Sequence, residues 1–119
     1  MNIEEYREYC LSKPGTTEHM PFDDNVLVFK VGNKMFALTG LNDFEYINLK
    51  CEPDIALELR AQYPSVRPGY HMSKVHWNSV YLHDGLQDGF VYELIDKSYY
   101  LILSSLPKKV QYEIRAEMD

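Results

Sequence analysis

Two histidines, a lysine, the only tryptophan and two tyrosines stand together in Pro68-Gly69-Tyr70-His71-Met72-Ser73-Lys74-Val75-His76-Trp77-Asn78-Ser79-Val80-Tyr81-Leu82. No carboxylate lies between Glu58 and Asp84, although acids outnumber bases by 18 to 12 in the whole chain. The acid-free window also holds Arg60, Tyr63, Arg67 and His83. Cations interleaved with flat rings suit a nucleic-acid strand, because the cations meet phosphates while the rings stack on bases. The opposing reading puts Trp77 and Tyr81 in the core of a strand and leaves the bases scattered over the surface.

Lys30, Lys34 and Lys50 extend the pattern. If the strands that carry them pair, they share one sheet surface or rim with Lys74 and form a positive stripe. Lysines at sheet edges also guard strands against aggregation, and that role requires no ligand. Pro68-Gly69 is a turn signal, since proline presets φ and glycine accepts a positive φ. The same glycine would let the backbone approach a ligand closely, with Tyr70 and His71 beside it. One of His71 and His76 is expected to hydrogen-bond nearby carbonyls and peg the loop.

Other chemistry finds less support. His71 and His76 are five apart, His83 lies seven further on, and Cys51 would be a fourth ligand. Zinc sites normally draw ligands in tight pairs, and no cysteine pair exists here, so no metal site is assigned. The chain carries no nucleophile elbow, Walker loop, dinucleotide-binding glycine fingerprint or His-Glu-x-x-His. Cys51 near a histidine would be a conceivable nucleophile, but a lone cysteine at a strand end is more often a small core residue. The carboxylates gather in the first helix and at helix starts, where the helix dipole accounts for them. No catalytic residue and no cofactor are assigned, and the chain is read as a non-enzyme.

The 119 residues suit one domain spanning residues 1–119. A hydrophobic share of 45% and a charged share of 25% fit an ordinary globular chain. The net charge of −6 opposes non-specific binding to nucleic acid, so any polyanion must meet a local basic face. The sequence shows neither a signal peptide nor a membrane span. A cytoplasmic location with Cys10 and Cys51 reduced is the expectation.

The elements that must position these residues follow from periodicity. Helices are expected over about Ile3–Leu11, capped by Asn2 with Glu5, then Pro53–Gln62, Asp88–Ser104 and Pro107–Glu117. Strands are expected at Thr16–Pro21, Val26–Val31, Lys34–Leu38, Phe44–Lys50 and Val75–Leu82, the last closed by Asp84-Gly85. Ser65-Val66-Arg67 is either a short strand or extended chain. Gly32-Asn33 makes a tight hairpin, and Tyr46, Asn48 and Lys50 share one face of their strand. The order is α, three or four strands, α, one or two strands, α, α. This predicts an α+β two-layer sandwich, an antiparallel sheet of about five or six strands with helices on one face.

Met20-Pro21-Phe22, Val28-Phe29-Lys30-Val31, Lys34-Met35-Phe36-Ala37-Leu38, Asn48-Leu49-Lys50-Cys51 and Leu59-Arg60 with Tyr63 recur in this order. Pro68-Gly69-Tyr70-His71-Met72 follows, with Lys74 and His76-Trp77-Asn78, then Ser98-Tyr99 and Leu106-Pro107-Lys108-Lys109. Together they resemble the MmcQ/YjbR family of small bacterial proteins over nearly the whole chain. The resemblance implies a two-layer fold like that of CyaY-type and secretion-chaperone-type domains, and a DNA-binding role by analogy with a curved, double-wing sheet. Where the family has Pro-Phe-Gly, this chain has Pro21-Phe22-Asp23-Asp24, and two acids weigh against phosphate at that corner. The leading expectation is weak, sequence-tolerant DNA binding on a sheet and loop surface. Arg67, Lys74, Lys50, Lys34 and Lys30 would position phosphates, and Tyr70, His71, His76, Trp77 and Asn78 would touch sugars or bases. The alternative is an interaction module for a protein partner or small ligand at the same loop. A third is a cryptic metal protein or enzyme built on His71, His76 and Cys51.

Overall fold

The computed structural model describes residues 1–83 and 85–118. Asp84, expected in the turn after the last strand, lies outside the described residues. Helix α1 (Ile3–Leu11) begins with the capping box read from the sequence. The Asn2 side chain accepts from the Glu5 N–H at 2.8 Å, and Glu5 accepts from the Asn2 N–H at 2.9 Å. Then come strands β1 (Thr16–His19), β2 (Val26–Val31), β3 (Lys34–Gly40) and β4 (Tyr46–Lys50). Helix α2 (Pro53–Gln62) leads to β5 (Val66–Pro68) and β6 (Trp77–Tyr81). Helices α3 (Asp88–Ser105) and α4 (Lys108–Arg115) and a short 3₁₀ turn complete the described chain.

The six strands form one sheet in the order β1-β2-β3-β4-β6-β5, and every neighbouring pair is antiparallel. The fold is α+β. Gly32 and Asn33 both take positive φ, 55° and 68°, as a two-residue turn between twisted strands requires. Several element boundaries differ from the sequence reading: β1 ends at His19, β3 runs on to Gly40, β6 spans only Trp77–Tyr81, and two more shift for local reasons. Phe44 has φ +44° and a buried ring, so β4 starts two residues later than expected. Pro107 caps α4 from outside rather than occupying its first turn.

Alternation sorts the sheet into two faces. Leu27, Phe29, Val31, Ile47, Leu49 and Val80 point to the helical layer and join Tyr6, Ile95, Tyr99 and Leu103 in the main core. A bulge after Phe29 breaks strict alternation, because Phe29 pairs with Ala37 while Lys30 pairs with Met35. Phe36 is the extra residue, so Phe36 and Ala37 both reach the main core. Phe36 meets Tyr99 edge-on, with centroids 5.3 Å apart. Ser98 of α3 locks helix to sheet. Its Oγ donates to the Phe36 carbonyl at 2.5 Å and accepts from the Lys50 N–H at 2.8 Å.

Among the described residues no helix lies over the other face. Val28, Leu38 and Trp77 form a second, smaller cluster there, padded by Val26, Met35 and Met72. Two irregular segments overlie this face, residues 20–25 and residues 69–76.

Candidate nucleic-acid interface

The register across the middle of the open face decides what meets there. Tyr46 lies opposite Tyr81, Asn48 opposite Ser79, and Lys50 opposite Trp77. The face therefore grades from tyrosines at one end, through a polar centre, to a lysine beside an indole at the other.

The polar centre pegs the 69–76 loop onto the sheet. The Tyr70 N–H donates to Ser79 Oγ at 2.8 Å, and Asn48 Nδ2 donates to the Tyr70 carbonyl at 3.1 Å. Ser79 Oγ donates in turn to Asn48 Oδ1. Two cations hold the rest of the loop. Lys74 Nζ donates to the Gly69 carbonyl at 2.8 Å. The Arg60 guanidinium donates to Asn78 Oδ1 at 2.7 Å, to the Trp77 carbonyl at 3.2 Å and to the Lys74 carbonyl. Gly69 is buried against Trp77, and a Cβ there would come within 2.9 Å of the Trp77 carbonyl oxygen. So glycine at this position serves close packing of the loop on β6. The outcome is a fixed backbone that displays His71 at φ +59°, a left-handed conformation uncommon outside glycine.

Two recesses open along this face, and Phe22 lines both; the second also reaches round the strand ends to Ile102 of α3. The aromatic recess has a volume of about 300 Å³ and is walled by Phe22, Leu38, Tyr46, Tyr70, His71 and Met72. Tyr46 and Tyr70 meet edge-on at 5.7 Å, and Tyr70 lies 4.0 Å from the His71 ring. Burial is the main cause that raises the Tyr46 pKa, and Tyr81, Tyr70, Asp43 and Glu45 add to it. The lysine recess has a volume of about 540 Å³ and is bordered by Lys30, Lys34, Lys50, Asn33, Met35 and Trp77. Lys50 Nζ sits 5.7 Å from the Trp77 ring centroid, within cation–π range. Among the described residues the ion pairs are Met1–Asp88, Arg7–Glu18 and Lys13–Asp96, none of which engages these lysines.

A family model described as YjbR matches residues 11–101, which contain Phe22, the three lysines and the whole 69–76 loop. The chain is 36% identical over 110 residues to the Escherichia coli K12 protein YjbR, covering 92% of this chain and 93% of that one. The chain belongs to the YjbR family. A further YjbR-family relative, YbdF of Escherichia coli O157:H7, is 40% identical over 96 residues, 80% of this chain and 79% of its own. Among solved structures, a Deinococcus radiodurans protein with a DUF419 domain superposes with a TM-score of 0.88 at 36% identity. That match covers 95% of this chain and 87% of the other. A Pseudomonas syringae protein superposes with a TM-score of 0.72 at 29% identity, covering 86% of this chain and 99% of the other. Both curated relatives are named as uncharacterised proteins, so these names carry no activity to this YjbR-family chain.

The structure gathers Lys30, Lys34 and Lys50 around one recess, and Tyr70 and His71 around the next. Trp77 borders the lysine recess, and Arg67, Lys74, His76 and Asn78 line neither. Trp77 is 6% exposed and packs in the Val28–Leu38 cluster, so little of its ring is left for stacking. Asn78 is a correction: it alternates away from the open face and is buried beside Arg60, out of reach of a sugar or base. Lys74 uses its amine on the loop's own backbone. Arg67 lies on the edge strand β5, with its guanidinium 4.1 Å above the Tyr81 ring. His76 is exposed on the loop, and its carbonyl accepts from the Cys51 N–H at 2.9 Å.

Among the described residues no cluster of three or more His, Cys, Asp and Glu forms a candidate metal site. Cys10 and Cys51 are both free thiols. Burial raises the Cys51 pKa, with Glu52 adding to the effect, which disfavours the thiolate. No helix among the described residues is long and apolar enough to cross a membrane.

Sequence reasoning did not single out Phe22, Tyr46, Asn48 or Ser79 as site residues. The alternation of Tyr46, Asn48 and Lys50 was the available signal for one wall. Their partners on β6 come from pairing across a 26-residue excursion, residues 51–76, which no local pattern encodes.

Proposed function

We propose that this YjbR-family protein is a non-enzymatic binding protein for single-stranded nucleic acid, DNA in the first instance, held weakly and without sequence preference on the open sheet face. One observation carries the reading. Lys30, Lys34 and Lys50, from three successive strands, border one recess beside Trp77, and no ion pair among the described residues neutralises them. Amines held this way attract phosphate, and the adjoining tyrosine-lined recess offers rings to a base. The aromatic recess lies between the two overlying segments, with Phe22 on one side and Tyr70, His71 and Met72 on the other, a shape that admits a single strand more readily than a duplex. The net charge of −6 keeps affinity low.

The test is the salt dependence of binding to a short fluorescent oligothymidylate. The log–log slope should fall between about −0.7, for one phosphate shared by the three lysines, and about −2, for one phosphate on each. Lys30→Glu with Lys50→Glu should abolish retention. Retention by that double variant would refute the site.

A protein partner at the same place is the competing reading. Met20, Phe22, Tyr70 and Val75, on the two overlying segments, are 55%, 64%, 50% and 59% exposed. Apolar docking would show little salt dependence, so the same titration separates the two.

A further inference from the structure

Building on that reading, we infer that the open face takes one nucleotide unit, with its base in the aromatic recess and its phosphate at the lysine recess, rather than a continuous tract of strand. The recesses are neighbours divided by Phe22, so a single ligand can occupy both. Tyr46 lines one and Lys50 the other, four residues apart on β4, about 13 Å along the strand. The two ends match in kind a ligand with a flat ring at one end and an anion at the other.

The charges run along the same axis. Lys30, Lys34 and Lys50 mark the phosphate end. Asp43 and Glu45 act on Tyr46 at the ring end. Asp23 and Asp24 follow directly after Phe22. A strand continuing past the aromatic recess would bring its next phosphate towards these four carboxylates, and like charges repel. A lone base carries no such charge, and its amino groups are attracted there. Negative charge at one end thus limits how much strand is accommodated. The walls are prearranged for this, because Asn48 and Ser79 fix the backbone that displays Tyr70 and His71.

A free nucleotide and the terminal nucleotide of a strand share this chemistry, and the experiment distinguishes them. Trp77, the sole tryptophan, borders the lysine recess and reports binding by its fluorescence. The wild-type protein is titrated with thymidine 5′-monophosphate, a 5′-phosphorylated dinucleotide, a 5′-phosphorylated decanucleotide, a circular single strand of the same base, thymidine and inorganic phosphate. The three 5′-phosphorylated linear ligands should agree within about threefold, and the circle, the nucleoside and phosphate alone should bind at least about tenfold more weakly. Within that range, preference for the mononucleotide assigns a free nucleotide, and preference for the dinucleotide assigns a strand end. Tyr70→Ala, an exposed position that lines only the aromatic recess, should weaken the mononucleotide about tenfold and leave inorganic phosphate unchanged. Affinity that climbs steadily with length, or a circle that binds as tightly as the linear decanucleotide, overturns the single-unit inference while leaving strand binding intact. No binding of any strand or nucleotide overturns both.

Discussion

The two faces of one sheet are closed in different ways. Beneath the helices, Phe29, Phe36, Ile47, Tyr99 and Leu103 are all buried, and polar groups enter sparingly, as with Ser98 bridging β3 and β4. On the opposite face the cover is a loop, and a loop brings backbone N–H and C=O groups that must be satisfied. Asn48, Ser79, Lys74 and Arg60 meet that demand. A helix satisfies its own backbone and can close a face with apolar side chains alone. A loop needs polar pegs, and between the pegs and the apolar cluster it leaves recesses. The candidate surface is thus a consequence of covering half a sheet with irregular chain.

Large truncations beneath the helices should cost most. Phe36→Ala removes a fully buried ring that meets Tyr99, and a loss of about 3–5 kcal/mol is expected in urea unfolding. A loss below about 1 kcal/mol would mean that the two faces contribute alike. Next comes the peg under the loop. Arg60→Ala strands Asn78 Oδ1 and the Lys74 carbonyl and removes one of two donors to the Trp77 carbonyl, for an expected cost of about 1–3 kcal/mol and a red shift of Trp77 emission as the loop loosens. Unchanged emission would show that the loop keeps its place without Arg60.

Smaller still is the stability effect of the lysine recess. On the proposed reading, Lys30→Glu with Lys50→Glu should remove strand binding while moving unfolding by only about 0.5 kcal/mol, because no ion pair among the described residues uses these amines. A large loss of stability would make the lysines structural. The mildest test concerns Cys51. Burial raises its pKa, so its thiolate appears only as pH climbs past the usual thiol range. Alkylation should therefore be slower than for a free thiol at pH 7.5 and should keep accelerating beyond pH 9, the reference value for the group. A rate plateau below that pH would show a thiolate stabilised by the nearby Lys97.

Alternation and punctuation made much of the fold legible. The Asn2 and Glu5 cap, the Gly32-Asn33 hairpin and the helical stripe of α3 are short-range features, and their residues lie within a turn or two of one another. Arg60 was legible only as one more cation in an acid-free window. Its partners lie 14 to 18 residues away, and its role emerges once α2 is placed beside β6. Trp77 invited a stacking role by residue type, yet the two apolar neighbours that bury it, Val28 and Leu38, come from other strands.

By itself, the sequence determined which residues are strand, helix and turn, that Tyr46, Asn48 and Lys50 share a face, and which family this chain joins. Those depend on local backbone preference and on the order of motifs. Tertiary structure alone decided that Lys30, Lys34 and Lys50 border one recess, that Asn78 turns inward, and that Lys74 and Arg60 hold a loop. Strand register across distant segments sets which side chains meet, and a shift of one residue would send every one of them to the opposite face.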